Sequence, residues 1–208
     1  MKLEVLFVLL NEYADWEGAF LASSLQTGVM PGSEVKYVVK TVAPTLDEVR
    51  SLGGFRTLPD YSFQTMPDDY AALILIGGMA WQSPEAEEVV PIVRKALEKG
   101  KIVGAICNAS LFMGKHGFLN NVKHTSNTLP LLKQWSGDQY TNEANYVEKE
   151  AASDGYIVTA NGTGYLEFMR ELLLLLEADE PARIEEAYDF QKNGFVKYME
   201  KTKLKDKK

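Results

Sequence analysis

Residues 101–113 read Lys101-Ile-Val-Gly-Ala-Ile-Cys107-Asn-Ala-Ser-Leu-Phe-Met113. An apolar run, Lys101 to Ile106, has the composition of a strand buried on both faces. It passes directly into a segment of helical character, Asn108 to His116, which Gly117 stops. Cys107 is the junction. Small residues stand two positions before it, Ala105, and two after it, Ala109. That is the pattern of a nucleophile elbow, whose tight and strained turn leaves no room for bulk. The helix N-terminus beneath the turn presents unpaired N–H groups and a positive dipole end, which both favour a thiolate. Cys107 is therefore expected to titrate below a free thiol. An inert buried cysteine is the ordinary alternative for a lone thiol; the strand–Cys–helix context favours the reactive one.

Working outward, strands and helices alternate. Leu3 to Leu10 reads as a buried strand, and Asp15 as the N-cap of a helix through Phe20 to Gln26. Glu34 to Val42 is a second strand, and Thr45 to Phe63, with Gly53-Gly54 and Pro59, suggests short strands around a turn. Tyr70 to Ile76 is a buried strand ending in Gly77-Gly78, followed by a helix over Pro84 to Lys99. Beyond the elbow, Thr128 to Trp135 reads as a short helix. Tyr146 to Glu150 and Tyr156 to Thr159 read as strands joined around Asp154-Gly155. Leu166 to Leu176 and Ala182 to Met199 read as helices. The alternation predicts an α/β fold: a flavodoxin-like three-layer sandwich, mostly parallel sheet with helices on both faces. We expect one domain over 1–200 and a disordered Lys-rich tail over 201–208.

The net charge of −7 argues against a nucleic-acid partner, because phosphate binding needs a basic patch. The apolar stretch Leu172 to Leu176 is too short to span a bilayer, so no membrane partner is expected. Met1 to Leu10 lacks the layout of a signal peptide. The single cysteine excludes an internal disulfide and fits a cytoplasmic location. No spacing of ligands for a metal and no phosphate loop is present, so neither metal nor cofactor is expected.

The elbow Ala105-Ile106-Cys107-Asn108-Ala109 resembles that of the ThiJ/PfpI family, in the class I glutamine amidotransferase-like superfamily. The resemblance extends to Asp15-Trp16-Glu17, to Leu73-Ile74-Leu75-Ile76-Gly77-Gly78, to Val122 to Ser126, and to Ile157-Val158-Thr159-Ala160-Asn161-Gly162. It covers residues 1 to 176. It implies that the Glu17 carboxyl stands beside the Cys107 sulfur, with a pKa raised by desolvation. It also implies that the Gly78 and Asn108 N–H groups form an oxyanion hole. Gly77, Trp81 and His124 are candidate pocket residues; read structurally, the first is a turn glycine, the second a core anchor and the third a buried histidine.

Asn108 departs from the family, in which many members carry a histidine after the nucleophile. Asn exchanges no proton near neutral pH. His116 lies nine residues past Cys107 on the same helix, over ~13 Å away at ~1.5 Å per residue. Glutamine hydrolysis and efficient proteolysis, an amidohydrolase or peptidase reading, are accordingly disfavoured. Addition of the thiolate to a small electrophile, an aldehyde or dicarbonyl, is favoured, which in the family corresponds to glyoxalase-like or deglycase-like activity. A non-enzymatic oxidative-stress sensor using Cys107 oxidation is the alternative. The resemblance also implies a homodimer.

Overall fold

A computed structural model describes residues 2–205. A seven-stranded sheet runs in the order β5-β2-β1-β6-β7-β9-β8. Its strands are β1 (Leu3–Val8), β2 (Tyr37–Ala43), β5 (Tyr61–Ser62), β6 (Ala72–Leu75), β7 (Ile102–Ile106), β8 (Ala151–Asp154) and β9 (Ile157–Ala160). All pairings are parallel except β8 with β9. A separate two-stranded arm, β3 (Val49–Arg50) and β4 (Arg56–Thr57), fills the Thr45 to Phe63 stretch together with β5. The expected flavodoxin-like three-layer architecture is observed.

The period of two along each strand divides the core into halves. Leu6, Val8, Leu73, Leu75, Val103 and Ala105 point to one side. There they meet α3 (Val89–Glu98), α4 (Asn108–Lys115) and α5 (Leu129–Ser136). Val5, Phe7, Ile74, Ile76 and Val158 point to the other, against α1 (Asp15–Thr27), α6 (Tyr165–Leu175) and α7 (Pro181–Asn193). Each fully buried Leu, Ile or Phe stabilises the fold by roughly 1.5–3 kcal/mol, so both faces hold the sheet. Because parallel strands share one direction, the loops after β1, β6, β7 and β9 emerge at one edge. In open α/β sheets that edge is where ligands bind.

Four local expectations are corrected. Asp15 is not the N-cap of α1 but its first residue; its carboxylate accepts from the Gly53 N–H at 2.8 Å and so ties down the arm instead. The Pro84 to Lys99 helix is two, α2 (Pro84–Glu87) and α3, parted at Glu88. Pro91 explains the break: lacking an N–H, it fits only the first turn of a helix, which forces a start just ahead of it. Tyr146 to Glu150 is not a strand. Its backbone turns to the His124 loop, with Val147 N–H on the His124 carbonyl at 2.9 Å, and Ala151–Asp154 becomes the hairpin partner. The terminal helix is also two, α7 and α8 (Phe195–Lys205), divided at Gly194 with φ 82°. The expected tail 201–208 thus begins inside α8, and 206–208 lie outside the described residues. Among the described residues no helix is long and apolar enough to cross a membrane.

Candidate functional site

Cys107 ends β7 and precedes α4, with φ 58° and ψ −129°. For a residue with a Cβ this conformation costs on the order of 1–3 kcal/mol and persists only where its surroundings enforce it. The enforcing bonds are present. The Cys107 N–H donates to the Ala160 carbonyl at 2.9 Å. The Cys107 carbonyl accepts from the Ser110 N–H at 3.0 Å and the Ser110 hydroxyl at 2.7 Å. Ser110 is in turn 2.7 Å from the Ser126 hydroxyl. Ala105 and Ala109 are fully buried at the crowded positions on either side.

Glu17, in the first turn of α1, is 1% exposed. Two glycines confine it with the cysteine. A Cβ on Gly77 would overlap a Glu17 carboxylate oxygen and stand 2.6 Å from the Cys107 Cβ. A Cβ on Gly162 would lie 3.0 Å from the Cys107 sulfur and 3.4 Å from the other Glu17 oxygen. Glu17, Gly77, Cys107 and Gly162 therefore share one small space at the ligand edge of the sheet. Neither Glu17 oxygen completes a hydrogen bond of good geometry, although the thiol and the Gly77 backbone adjoin it and favour its charged form. Burial dominates and raises its pKa to about 7.

The thiol moves opposite to expectation. Burial, and after it the Glu17 charge, push Cys107 up to about 11, against the opposing pull of the Asn127 amide and the Asn108 N–H. The helix N-terminus is outweighed because removing an anion from water costs more than one turn of helix dipole returns. The buried Glu17 carboxyl and the partly buried Cys107 thiol, in contact, titrate as a pair, and the pair keeps at least one proton through neutrality.

The glycine loop after β6 is pinned to the β1–α1 loop by Ala14 N–H to Gly77 carbonyl, 2.9 Å, and Met79 N–H to Glu12 carbonyl, 3.1 Å. A Cβ on Gly78, at φ 154°, would drive into the Glu12 carbonyl. Among the described residues no acceptor takes the Gly78 N–H. The Gly78 carbonyl accepts from the Asn108 side chain at 2.8 Å. Asn127, one residue past the Val122 to Ser126 segment, is a site residue that the sequence does not flag. Asn127 donates from its side-chain nitrogen to the Cys107 sulfur at 3.5 Å and to the Asn108 side-chain oxygen at 3.1 Å. Its own oxygen accepts from the Gly162 N–H at 2.9 Å. Trp16, 46% exposed, sets its indole N–H 3.4 Å from the Gly162 carbonyl.

Two candidate pocket residues belong elsewhere. Trp81 is buried against Phe112, ring centroids 4.9 Å apart, and its indole N–H donates to the Ile76 carbonyl at 2.8 Å. It is a core anchor under the glycine loop, not a pocket wall. His124 is fully buried, with Nδ1 2.9 Å from the Val122 carbonyl and Nε2 2.7 Å from the Tyr140 hydroxyl. Burial lowers its pKa; Nδ1–H donates to the Val122 carbonyl, which can only accept, and Nε2 shares the Tyr140 hydroxyl with the Asn142 carbonyl, 3.1 Å from that hydroxyl. Both nitrogens are occupied, which leaves none for Cys107.

The DJ-1/PfpI family profile matches residues 3–175. The chain is 37% identical over 199 residues to the Bacillus subtilis "Uncharacterized protease YdeA", covering 95% of each chain. It is 33% identical over 129 residues to "Deglycase TK1284" of Thermococcus kodakarensis, covering 59% of this chain and 73% of that one. Among solved structures, the thiJ/pfpI family protein of Bacillus anthracis superposes with a TM-score of 0.87 at 29% identity, covering 96% of this chain and 94% of that one. The DJ-1 superfamily protein Atu0886 of Agrobacterium tumefaciens gives 0.81 at 30% identity, covering 93% and 99%.

Proposed function

The chain belongs to the DJ-1/PfpI family, and on that premise we propose that it adds the Cys107 sulfur to the carbonyl carbon of a small aldehyde or dicarbonyl. One observation carries the reading: a buried carboxyl with no completed hydrogen bond, held against the only cysteine by two glycines. As the sulfur–carbon bond forms, the thiol proton passes to the Glu17 carboxylate. The carbonyl π pair moves to oxygen, and Glu17 returns the proton there. Atoms balance with one shared proton, and no leaving group has to be protonated. The free Gly78 N–H and the Asn108 N–H are the donors for the developing oxyanion. A Glu17 pKa near 7 suits a group that must both take and give a proton near neutral pH.

Peptide cleavage fits less well, because the amine leaving group needs its own proton donor and both histidines are engaged elsewhere. His124 is hydrogen-bonded at both nitrogens, and His116 sits at the far end of α4 beside Glu87 and the Phe112 ring. The test is methylglyoxal consumption by wild type and Cys107→Ala, with casein hydrolysis alongside. We expect methylglyoxal to be consumed by wild type, at least one equivalent per thiol, with no consumption in the variant and no casein cleavage. Casein cleavage lost with the thiol would overturn the reading.

A second reading, as an oxidative-stress sensor, is favoured by the donors around the sulfur. Peroxide would oxidise Cys107 to the sulfenic and then the sulfinic acid. Asn127, the Asn108 N–H and a protonated Glu17 would hold the sulfinate oxygens by charge-assisted bonds. Met79, 61% exposed, is the internal clock. Peptide mass analysis after graded peroxide should show Cys107 oxidised before Met79; the opposite order would remove this reading.

A further inference from the structure

Asn127 stands where the β9 loop, the elbow and the glycine loop after β6 converge, and its orientation is fixed by chemistry. The Gly162 N–H can only donate, so it takes the Asn127 side-chain oxygen. The Gly78 carbonyl can only accept, so it takes the Asn108 side-chain nitrogen and turns the Asn108 oxygen toward Asn127. The Asn127 nitrogen is left with two hydrogens and two partners, the Asn108 oxygen at 3.1 Å and the Cys107 sulfur at 3.5 Å. Neither amide can flip without breaking a bond to backbone. We propose that Asn127 is the positioning residue of the thiolate: a fixed, non-titrating donor that holds the ionised sulfur of Cys107 while Glu17 alone moves the proton.

The inference rests on Cys107 being the nucleophile but not on any carbonyl being its substrate. Glu17 is the ionisable group that acts on the thiol; the remaining neighbours, Asn127 and the Asn108 N–H, are neutral donors. Because a neutral amide does not titrate, Asn127 favours the thiolate at every pH. An ionised carboxylate oxygen in the same place would oppose it.

The test is the rate of Cys107 alkylation by iodoacetamide against pH, for wild type, Asn127→Ala and Asn127→Asp, with thermal melting of each. Asn127→Asp keeps the acceptor for Gly162 and replaces the donor to sulfur by an oxygen. Its alkylation at pH 8 should fall roughly tenfold, with the profile moved up by about one pH unit. Asn127→Ala should fall less, roughly threefold, because it removes the donor without adding a repulsive oxygen. A purely structural residue would predict the reverse order, since Ala deletes the bond to Gly162 that Asp preserves. Equal profiles in all three proteins, or a larger loss in Ala than in Asp, overturn the proposal. If neither variant folds, the wild type still decides. The Asn127 side-chain amide resonances should shift with pH in step with thiol ionisation and move on alkylation; resonances that ignore both overturn it. Iodoacetamide reads the sulfur directly, so absence of methylglyoxal turnover would count against the proposed function and leave this result standing.

Discussion

Two buried ionisable groups in this molecule differ in a single respect. His124 and Glu17 are both withdrawn from water, and burial drives both toward the neutral form. Around His124 every polar partner is present: the Val122 carbonyl, the Tyr140 hydroxyl, and beyond them Asn142, whose side-chain nitrogen bonds the Leu119 and Val122 carbonyls at 2.8 and 2.9 Å. Around Glu17 neither oxygen is satisfied, and its neighbours are two glycines and a thiol in a strained turn. A satisfied buried group holds structure. An unsatisfied one costs stability wherever it sits, and its place beside a thiol on a strained elbow is what the proposed chemistry rests on.

The comparison is broken most directly through Glu17. Its folded pKa, about 7, lies above its ordinary value of 4.5. The folded state thus holds the proton more tightly than the unfolded chain. This contribution to stability is complete below about pH 4.5 and is lost as pH rises through 7, a change on the order of 3 kcal/mol. Glu17→Gln has no proton to lose there. Denaturant unfolding at pH 4.5 and 8 should show wild type losing that much relative to the variant, and a constant difference between them would refute the assignment. The same variant removes the charge that helps raise the thiol, so its alkylation profile should move to lower pH.

The second contrast is His124. His124→Ala removes one of the two partners of the Val122 carbonyl and of the Tyr140 hydroxyl, each of which keeps Asn142, and empties a fully buried site, at a cost of about 2 kcal/mol. Cys107 alkylation in the folded variant should be unchanged. A slowed alkylation at constant pH would show that the two clusters are coupled and that the histidine serves the site after all.

What the sequence made legible follows from how local each cause is. The strands were readable because they are buried on both faces, and the elbow because Ala105 and Ala109 must be small for steric reasons confined to a few residues. Asn127 was not readable. Its role depends on Gly162, 35 residues later, and on Asn108, 19 residues earlier, and nothing within its own segment requires an amide. The direction of the thiol shift failed for the same reason. The helix N-terminus is written in the local sequence, whereas the burial that outweighs it comes from α1 and the β6 and β9 loops closing over the sulfur. Asp15 misled because an acid at a helix start has two common uses, and the arm that claims its carboxylate is 38 residues away.

Trp81, a core residue under the glycine loop, gives the smallest expected effect. Its indole N–H bonds the Ile76 carbonyl, the last backbone acceptor before Gly77 and Gly78, so a core side chain supports the loop that walls Glu17 and Cys107. Trp81→Phe keeps most of the contact with Phe112 and deletes that one bond. With the loop held independently by Ala14 and Met79, the cost should be about 1 kcal/mol, carried by the unpaired Ile76 carbonyl. Chemical denaturation would show that loss while the alkylation profile of Cys107 stays in place. A shifted profile would mean that the Gly77–Gly78 geometry is set from the core through Trp81 and not by the β1–α1 loop.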